Sequence, residues 1–184
     1  MKIAMKTKRL IRFANIAGKL KKIKRKGWVR IGIKDPESVA DHSFRTALLA
    51  MIFSDLKKIN SEKVIRIALL HDLGESLIGD YTKHEKEKMG REIVKKERRA
   101  IKKILSFLPK NLKDKYEKLW REFDEGKTKE AKLVKEIDKL EMAIQAHEYL
   151  KQGYRKEKLK EFFEDAETKI KDKFLRKILK EIKP

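Results

Sequence analysis

The 184-residue sequence contains no cysteine, only three prolines and eight glycines, and no long apolar run. Without cysteine there are no disulfides or thiolate ligands, so any transition metal must be bound by histidine and carboxylates. No stretch of about 18 apolar residues is present, so no transmembrane helix is expected. The Lys-rich start lacks the apolar core of a signal peptide, so we expect a cytoplasmic location. The length suits one domain that buries its own core.

Charge is abundant and unevenly distributed. Charged residues make up 43% of the chain, and the formal net charge is +21. Residues 1–34 contain thirteen Lys or Arg and no acid, which leaves 37 basic and 29 acidic residues, or +8, for the remainder. This basic segment is either a solvated surface or a region that attracts a phosphate-bearing partner. A nucleic-acid-binding protein therefore stays an alternative, although no recognition motif or aromatic interleaving accompanies the charge.

Apolar residues recur at helical spacing along the chain, and no segment alternates with the period of a strand. The fold class predicted is all-α, a multi-helix bundle. A turn-rich connector is expected at 27–36, with Ser38 or Asp35 as the N-cap of the helix that follows it, and Ser61 as the N-cap of the next. The predicted helices span about 8–23, 38–56, 61–78, 86–108, 111–124 and 128–150, and then one long or two shorter helices over 156–182.

The stretch from Leu69 to Asp80, LLHDLGESLIGD, is the most informative part of the sequence. Asp72 follows an apolar run with only His71 between, and burial of a carboxylate without a partner is costly. His42 and Asp138 each lie beside the apolar stripe of another helix. Three helices thus direct histidine and carboxylate side chains towards a common core, as a divalent metal site requires.

The order His, His-Asp, Asp, with spacings of 29 and 66 residues, resembles that of the HD-domain superfamily of metal-dependent phosphohydrolases. The resemblance extends to three segments, PESVADHSFRTALLA, IALLHDLGESLIGD and KLVKEIDKLEMAIQAHEYL. Within the superfamily, Trp28 and the Glu75–Asp80 segment resemble the corresponding positions of one branch. That branch is the 5'-deoxynucleotidases and related archaeal and eukaryotic HD-domain proteins. The similarity covers about residues 10–165.

This resemblance implies a single HD domain over 1–184, with its core at about 10–165 and a C-terminal helical extension at about 166–184. His42, His71, Asp72 and Asp138 would bind one divalent ion, with manganese, cobalt, iron, zinc and magnesium not distinguished. The implied reaction removes phosphate from (deoxy)nucleoside 5'-monophosphates, with a water activated by the metal. The related nucleotidases are homodimers, and the apolar C-terminal helices offer such an interface.

Two acids after the His-Asp pair are implied to be catalytic. Glu75 lies three positions after Asp72 and four after His71, so all three are expected to share one side of a helix. We expect Glu75 to orient or deprotonate the attacking water. Asp80 would serve the leaving oxygen or a substrate hydroxyl.

Substrate contacts are expected from the basic connector and from the loop after Asp80. Trp28 either stacks on the nucleoside or packs against the bundle. The bacterial deoxynucleotidases have an Arg directly before this Trp, where this chain has Gly27, so the phosphate contact would pass to Arg25, Lys26 or Arg30. Further phosphate contacts are expected from Lys83, His84 and Lys86.

Lys135 and His147 lie on the same predicted helix as Asp138. Lys135 faces the site side, one turn before Asp138, and would either neutralise phosphate or pair with a helix neighbour such as Glu136 or Glu141. His147 lies about 180° around that helix from Asp138 and is not expected to join the site. Alternative substrates for an HD enzyme are nucleoside triphosphates, guanosine tetraphosphate and cyclic nucleotides.

Overall fold

The structure, a computed structural model, describes residues 7–184 and is α-helical throughout that range, with no β-strand. Residues 1–6 of the basic segment lie outside the described residues. A 3₁₀ turn, Gly18–Lys22, follows the first helix. The α-helices are α1 Thr7–Ala17, α2 Lys26–Arg30, α3 Val39–Leu56, α4 Ser61–Leu70, α5 Glu75–Ile78, α6 Lys83–Met89, α7 Arg91–Leu105, α8 Lys110–Glu125, α9 Lys129–Lys151, α10 Lys156–Lys169 and α11 Lys173–Ile182.

The longest helix, α9, is surrounded by α3, α4, α8, α10 and α11. Apolar residues on more than one of its sides are therefore buried, which explains why its apolar pattern is broader than a single stripe. Its fully buried apolar side chains are Ala131, Val134, Ile137, Leu140, Ala143 and Ala146. The prediction of an all-α bundle is confirmed.

Side-chain caps begin the two helices that carry His42 and Asp138. Ser38 is the N-cap of α3 and forms a capping box with Asp41, as one of the two predicted alternatives. Thr128 likewise caps α9 through the backbone N–H of Ala131. At α4 the predicted cap was wrong, because Asn60 rather than Ser61 accepts the hydrogen bond from the Lys63 N–H.

Two predicted segments each contain two helices in the structure. The helix expected over 86–108 is two helices, since Gly90 adopts φ +52°, a left-handed conformation that ends α6 and begins α7. The segment 156–182 is two helices, which resolves the alternative left open. The connector at 27–36 contains the short helix α2. No helix within residues 7–184 is long and apolar enough to cross a membrane.

The backbone around the His-Asp pair also departs from one continuous helix. α4 ends at Leu70, and His71 is its C-cap. The following turn uses hydrogen bonds to the third preceding residue, such as Glu75 N–H to the Asp72 carbonyl at 3.0 Å. Because a three-residue repeat eclipses side chains at i and i+3, Asp72 and Glu75 still align. Gly79, with φ +82°, then reverses the chain towards Asp80.

Candidate metal centre

The four predicted ligands converge from α3, the turn after α4, and α9. His42 Nε2 lies 3.1 Å from Asp138 Oδ1 and 3.6 Å from Asp72 Oδ2. His71 Nε2 lies 3.1 Å from Asp72 Oδ2 and 3.3 Å from His42 Nε2. Metal–ligand bonds of about 2.1 Å place neighbouring ligands about 3.0 Å apart in an octahedron and about 3.4 Å apart in a tetrahedron. The observed separations therefore fit a single divalent ion.

The tautomers of the two histidines favour the same interpretation. His71 Nδ1 lies 2.6 Å from the Ala68 carbonyl oxygen, which only accepts, so this nitrogen carries the proton. His42 Nδ1 contacts the Glu141 carboxylate and likewise donates. In the neutral rings both Nε2 atoms then present lone pairs to each other and to two carboxylates. Such a convergence of acceptors would be stabilised by a cation between them.

The charged groups around the centre also favour a bound cation. Burial and the Arg25 guanidinium lower the pKa of His42, but Glu141 and Asp138 more than compensate and raise it to about 10. Burial raises the pKa of Asp138, yet Lys139 and His42 bring it well below its usual range. The centre thus stabilises positive charge among ionised carboxylates, which a bound divalent ion would supply.

Glu141, which sequence reasoning did not assign to the site, supports His42 from behind. Its fully buried carboxylate accepts from His42 Nδ1 and from Arg45 Nε, the latter at 2.8 Å. Arg45 is held in turn by Glu148 at 2.7 Å. A carboxylate on the distal ring nitrogen fixes the tautomer and orientation of a ligand histidine. The available signal was spacing, since Arg45 and Glu141 each follow a predicted ligand by three residues.

Removing the charge of this supporting carboxylate should weaken metal binding. We expect Glu141→Gln to reduce Mn²⁺ affinity about 10- to 100-fold, because His42 loses its anionic partner and becomes a poorer ligand. Isothermal titration calorimetry on metal-stripped protein measures this. Glu148→Gln is the matched control, since Glu148 also pairs with Arg45 but does not bond His42. Equal affinities for the two variants would contradict the role of Glu141.

Arg25 is the basic residue of the connector that reaches the centre. Its Nη1 lies 3.3 Å from Asp72 Oδ2 and 3.9 Å from Asp80 Oδ1, and its side chain is mostly buried. Asp80 also accepts a hydrogen bond from the Lys26 backbone N–H. The structure therefore brings Asp80 to the site and selects Arg25 among the three cations that the sequence left open.

A cavity of about 190 Å³ adjoins the His-Asp pair. Glu75 lines it, and its Oε2 is buried without a hydrogen-bond partner. Burial raises the pKa of Glu75 well above its usual range, and the charges of Asp72 and Asp80 add to that rise. A buried carboxylate with an unsatisfied oxygen beside a metal centre is arranged to accept a proton from a bound molecule.

Two lysines line the same cavity. Lys86 Nζ lies 3.9 Å from Glu75 Oε1 and 3.0 Å from Glu97 Oε1, so the structure places this predicted contact at the site. Lys135 donates to the Asp124 carbonyl at 3.1 Å, and burial lowers its pKa. The suggestion that Lys135 pairs with an acid of its own helix was wrong, because its side chain extends across to α8.

The predicted stacking role of Trp28 was wrong. Its ring is 1% exposed and packs against Phe162 and Tyr149 at centroid distances of 4.0 and 5.2 Å. Its Nε1–H donates to Glu37 at 2.9 Å. No ring face is open to a ligand, so the alternative of a tryptophan packed on the bundle holds. Gly27, the residue before it, leaves room for the Phe162 ring. A Cβ at position 27 would lie 3.1 Å from that ring.

Three other predicted substrate contacts lie on the surface outside the cavity lining. Arg30 pairs with Glu161, and His84 is exposed on α6. Lys83 pairs with Asp165 at 2.7 Å. Asp165 lies 3.7 Å from Lys139, which contacts Asp138 at 3.2 Å, so Lys83 connects to the centre only through a chain of ion pairs.

Comparison with known families agrees with this geometry. The family profile described as an HD domain matches residues 17–179. The chain belongs to the HD-domain family. The Dictyostelium discoideum protein named 5'-deoxynucleotidase HDDC2 is 43% identical over 170 residues, covering 87% of this chain and 89% of that protein. The Homo sapiens protein of the same name is 35% identical over 164 residues, covering 88% of this chain and 78% of the relative.

Solved structures share the fold of this chain. A conserved hypothetical protein from Pyrococcus furiosus superposes on the chain with a TM-score of 0.77 at 38% identity, covering 94% of this chain and 98% of that one. A predicted metal-dependent phosphohydrolase from Magnetospirillum magnetotacticum gives a TM-score of 0.73 at 22% identity, covering 97% and 91% of the two chains. The second similarity demonstrates the fold.

Proposed function

We propose that this HD-domain protein hydrolyses (deoxy)nucleoside 5'-monophosphates to the nucleoside and phosphate, with one divalent metal ion. The observation that carries the proposal is the convergence of four ligand-type side chains beside a cavity lined by Glu75, whose buried Oε2 has no hydrogen-bond partner. The four are His42, His71, Asp72 and Asp138. Relatives named 5'-deoxynucleotidase match most of the chain and support this substrate class.

A divalent ion bound by these residues supplies Lewis acidity to the phosphoryl group and lowers the pKa of water. Glu75 orients the attacking water and takes its proton, for which a raised carboxyl pKa is suited. As the water oxygen bonds to phosphorus, the bond from phosphorus to the 5' oxygen breaks. The proton held by Glu75 is then available to the leaving oxygen, which balances the reaction.

Cationic side chains compensate the charge of the phosphate. Lys86 lies between Glu75 and Glu97, and Arg25 lies beside Asp72, so both are placed within the ring of charges around the centre. The Asp80 carboxylate accepts a hydrogen bond from the Lys26 backbone N–H and lies near the Arg25 guanidinium. Both neighbours favour its ionised form, which accepts hydrogen bonds. We therefore assign Asp80 to a substrate hydroxyl rather than to the leaving oxygen.

Phosphate release from a panel of nucleotides tests the proposal. Purified protein is stripped of metal, resupplied with Mn²⁺ or Co²⁺, and assayed with deoxy- and ribonucleoside 5'-monophosphates. We expect metal-dependent release with 5'-monophosphates and at least about tenfold lower kcat/KM with the corresponding 3'-monophosphates, because a shifted phosphate misaligns the reacting atoms.

The same panel contains nucleoside triphosphates, guanosine tetraphosphate and cyclic dinucleotides. Turnover of one of these, with no release from any 5'-monophosphate in the metal-loaded protein, would contradict the proposed substrate class. We also propose that the protein acts in the cytoplasm as a homodimer.

A further inference from the structure

The two carboxylate oxygens of Asp138 contact different partners. Oδ1 lies 3.1 Å from His42 Nε2, on the side where the four candidate ligands converge. Oδ2 lies 3.2 Å from the ammonium of Lys139, the next residue of α9. The Asp138 side chain is 15% exposed and that of Lys139 is 28% exposed, so solvent screens this pair only in part. One oxygen is therefore available to a metal ion, and the other is paired with a cation.

A contact between Asp138 and Lys139 is not one that an α-helix forms by its own geometry. Side chains of consecutive residues project about 100° apart, and such neighbours do not face each other. The Lys139 side chain therefore has to turn towards Asp138 and give up rotamer freedom to make the contact. An interaction from another part of the protein is needed to favour this arrangement.

Asp165 of α10 supplies that interaction. Its Oδ2 lies 3.7 Å from Lys139 Nζ, and its side chain is 12% exposed. Its other oxygen, Oδ1, is held by Lys83 of α6 at 2.7 Å. Among residues 7–184, Asp138 and Asp165 are the acids with which Lys139 pairs. The Lys139 ammonium is thus fixed between a carboxylate of its own helix and one of the neighbouring helix.

The pairing of Oδ2 bears on how many positions of a bound metal ion stay open. A carboxylate binds a metal ion through one oxygen or through both. Four residues that each provide one donor leave about two positions on a six-coordinate ion, one for a water and one for a phosphate oxygen. Ligation through both oxygens of Asp138 would occupy one of these. The ammonium opposes it, because Oδ2 would have to leave a charge-assisted contact.

We propose that Lys139 is a positioning residue that restricts Asp138 to metal ligation through Oδ1 alone, and that Asp165 holds Lys139 in place for this role. The pair thereby keeps one position of the ion open for a phosphate oxygen. This inference rests on the metal centre of the proposed function, but it does not depend on which phosphate ester is the substrate.

Water-proton relaxation of the Mn²⁺-loaded protein tests the proposal, because it reports how many exchangeable waters the ion binds. Lys139→Met removes the ammonium and keeps an unbranched side chain. We expect about two waters in the wild type and about one in this variant, so the inner-sphere relaxivity should fall about twofold. Mn²⁺ affinity should change less than the about 10- to 100-fold expected for Glu141→Gln, since all four ligands remain.

Inorganic phosphate is the second probe. It should bind the Mn²⁺-loaded Lys139→Met variant at least about tenfold more weakly than the wild type, because the position that it uses is taken by Asp138. With the best 5'-monophosphate of the panel, KM should rise more than kcat falls. A purely structural role for Lys139 would lower the thermal midpoint without changing the number of bound waters.

Asp165→Asn is an independent variant that leaves Asp138 and Lys139 unchanged. It releases the ammonium from α10, so we expect hydration and phosphate affinity to shift in the same direction as in Lys139→Met. Glu164→Gln is the matched control, because Glu164 is the neighbouring acid of α10 and pairs only with Lys160 on the surface of the described structure. Lys83→Met breaks the other ion pair of Asp165 and should also keep wild-type hydration.

Chemical rescue separates the charge of Lys139 from its contribution to folding. The natural sequence contains no cysteine, so Lys139→Cys introduces a unique thiol that 2-bromoethylamine converts into a side chain with an ammonium at nearly the length of lysine. The unmodified variant should have about one bound water. Modification, verified by mass spectrometry, should restore the second water and the phosphate affinity.

Two results would overturn the inference. One is a Lys139→Met variant with wild-type hydration and phosphate affinity, whatever nucleotides the protein hydrolyses. The other is a loss of Mn²⁺ from this variant as complete as that expected when His71 and Asp72 are both replaced by alanine, because Lys139 would then be needed for binding the ion itself. The expected shifts in a protein that releases phosphate from no nucleotide would contradict the proposed substrate class and support the positioning role of Lys139.

Discussion

The His71→Ala/Asp72→Ala variant is expected to lose its metal and at least about a thousandfold of its phosphate-release activity. The physical reason is that two of the four converging donors disappear, and a divalent ion contributes several kcal/mol to stabilising charge in the transition state. Metal content by inductively coupled plasma mass spectrometry and phosphate release are measured on the same samples. Adding Mn²⁺ after chelation should restore the wild type and leave the variant inactive.

A histidine outside the site provides the control for this variant. His147 lies on α9, nine residues after Asp138 and on the other side of that helix. His147→Ala should retain metal and activity. Thermal unfolding followed by circular dichroism identifies any loss of fold in the double variant, in which Arg25 loses its contact with Asp72. A folded double variant that retains metal and turnover would contradict the assigned ligands.

Glu75→Gln is expected to lower kcat about 10²- to 10⁴-fold with little change in KM. Glutamine keeps the shape of the side chain but cannot take a proton from water, and positioned general bases contribute factors of that size. Metal content should be unchanged, because Glu75 is not one of the four converging donors. The measurement is a full kinetic profile at saturating metal with the best 5'-monophosphate of the panel.

Glu97→Gln is the neighbouring control for Glu75. Glu97 lines the same cavity and pairs with the same Lys86 at 3.0 Å, but it makes no close contact with the His-Asp pair. Its replacement should change kcat less than about tenfold if Glu75 is the base. Equal losses for the two variants, or loss of the metal from Glu75→Gln, would contradict the role of Glu75. Glu75→Gln should also raise the thermal midpoint, since an ionised buried carboxylate beside Asp72 and Asp80 is destabilising.

The catalytic centre and the supporting contacts differ in how far they were predictable. The four candidate ligands follow from their positions beside apolar residues of the predicted helices. They are His42, His71, Asp72 and Asp138, and neighbouring ligand atoms in the structure lie 3.1 to 3.6 Å apart. Glu141 was missed because nothing in its own helix separates a buried acid from a surface ion pair. Its role depends on its contact with His42, which is 99 residues away in the sequence.

The sequence by itself determined the all-α class and most helix positions, and it identified Ser38 as one of two candidate caps. These are local properties, since helical periodicity and capping involve residues within a few positions of one another. It also identified the metal-binding residue types and their order along the chain. The break at Gly90 was less visible, because the apolar pattern continues across it.

Only the tertiary structure decided which connector residues reach the centre. Arg25 lies beside Asp72, 47 residues later in the chain, while Trp28 is buried against Tyr149 and Phe162 on α9 and α10. The choice between a stacking and a packed tryptophan depends on helices that are distant in sequence. Such choices depend on the packing of many helices at once, whereas periodicity reports on one helix at a time.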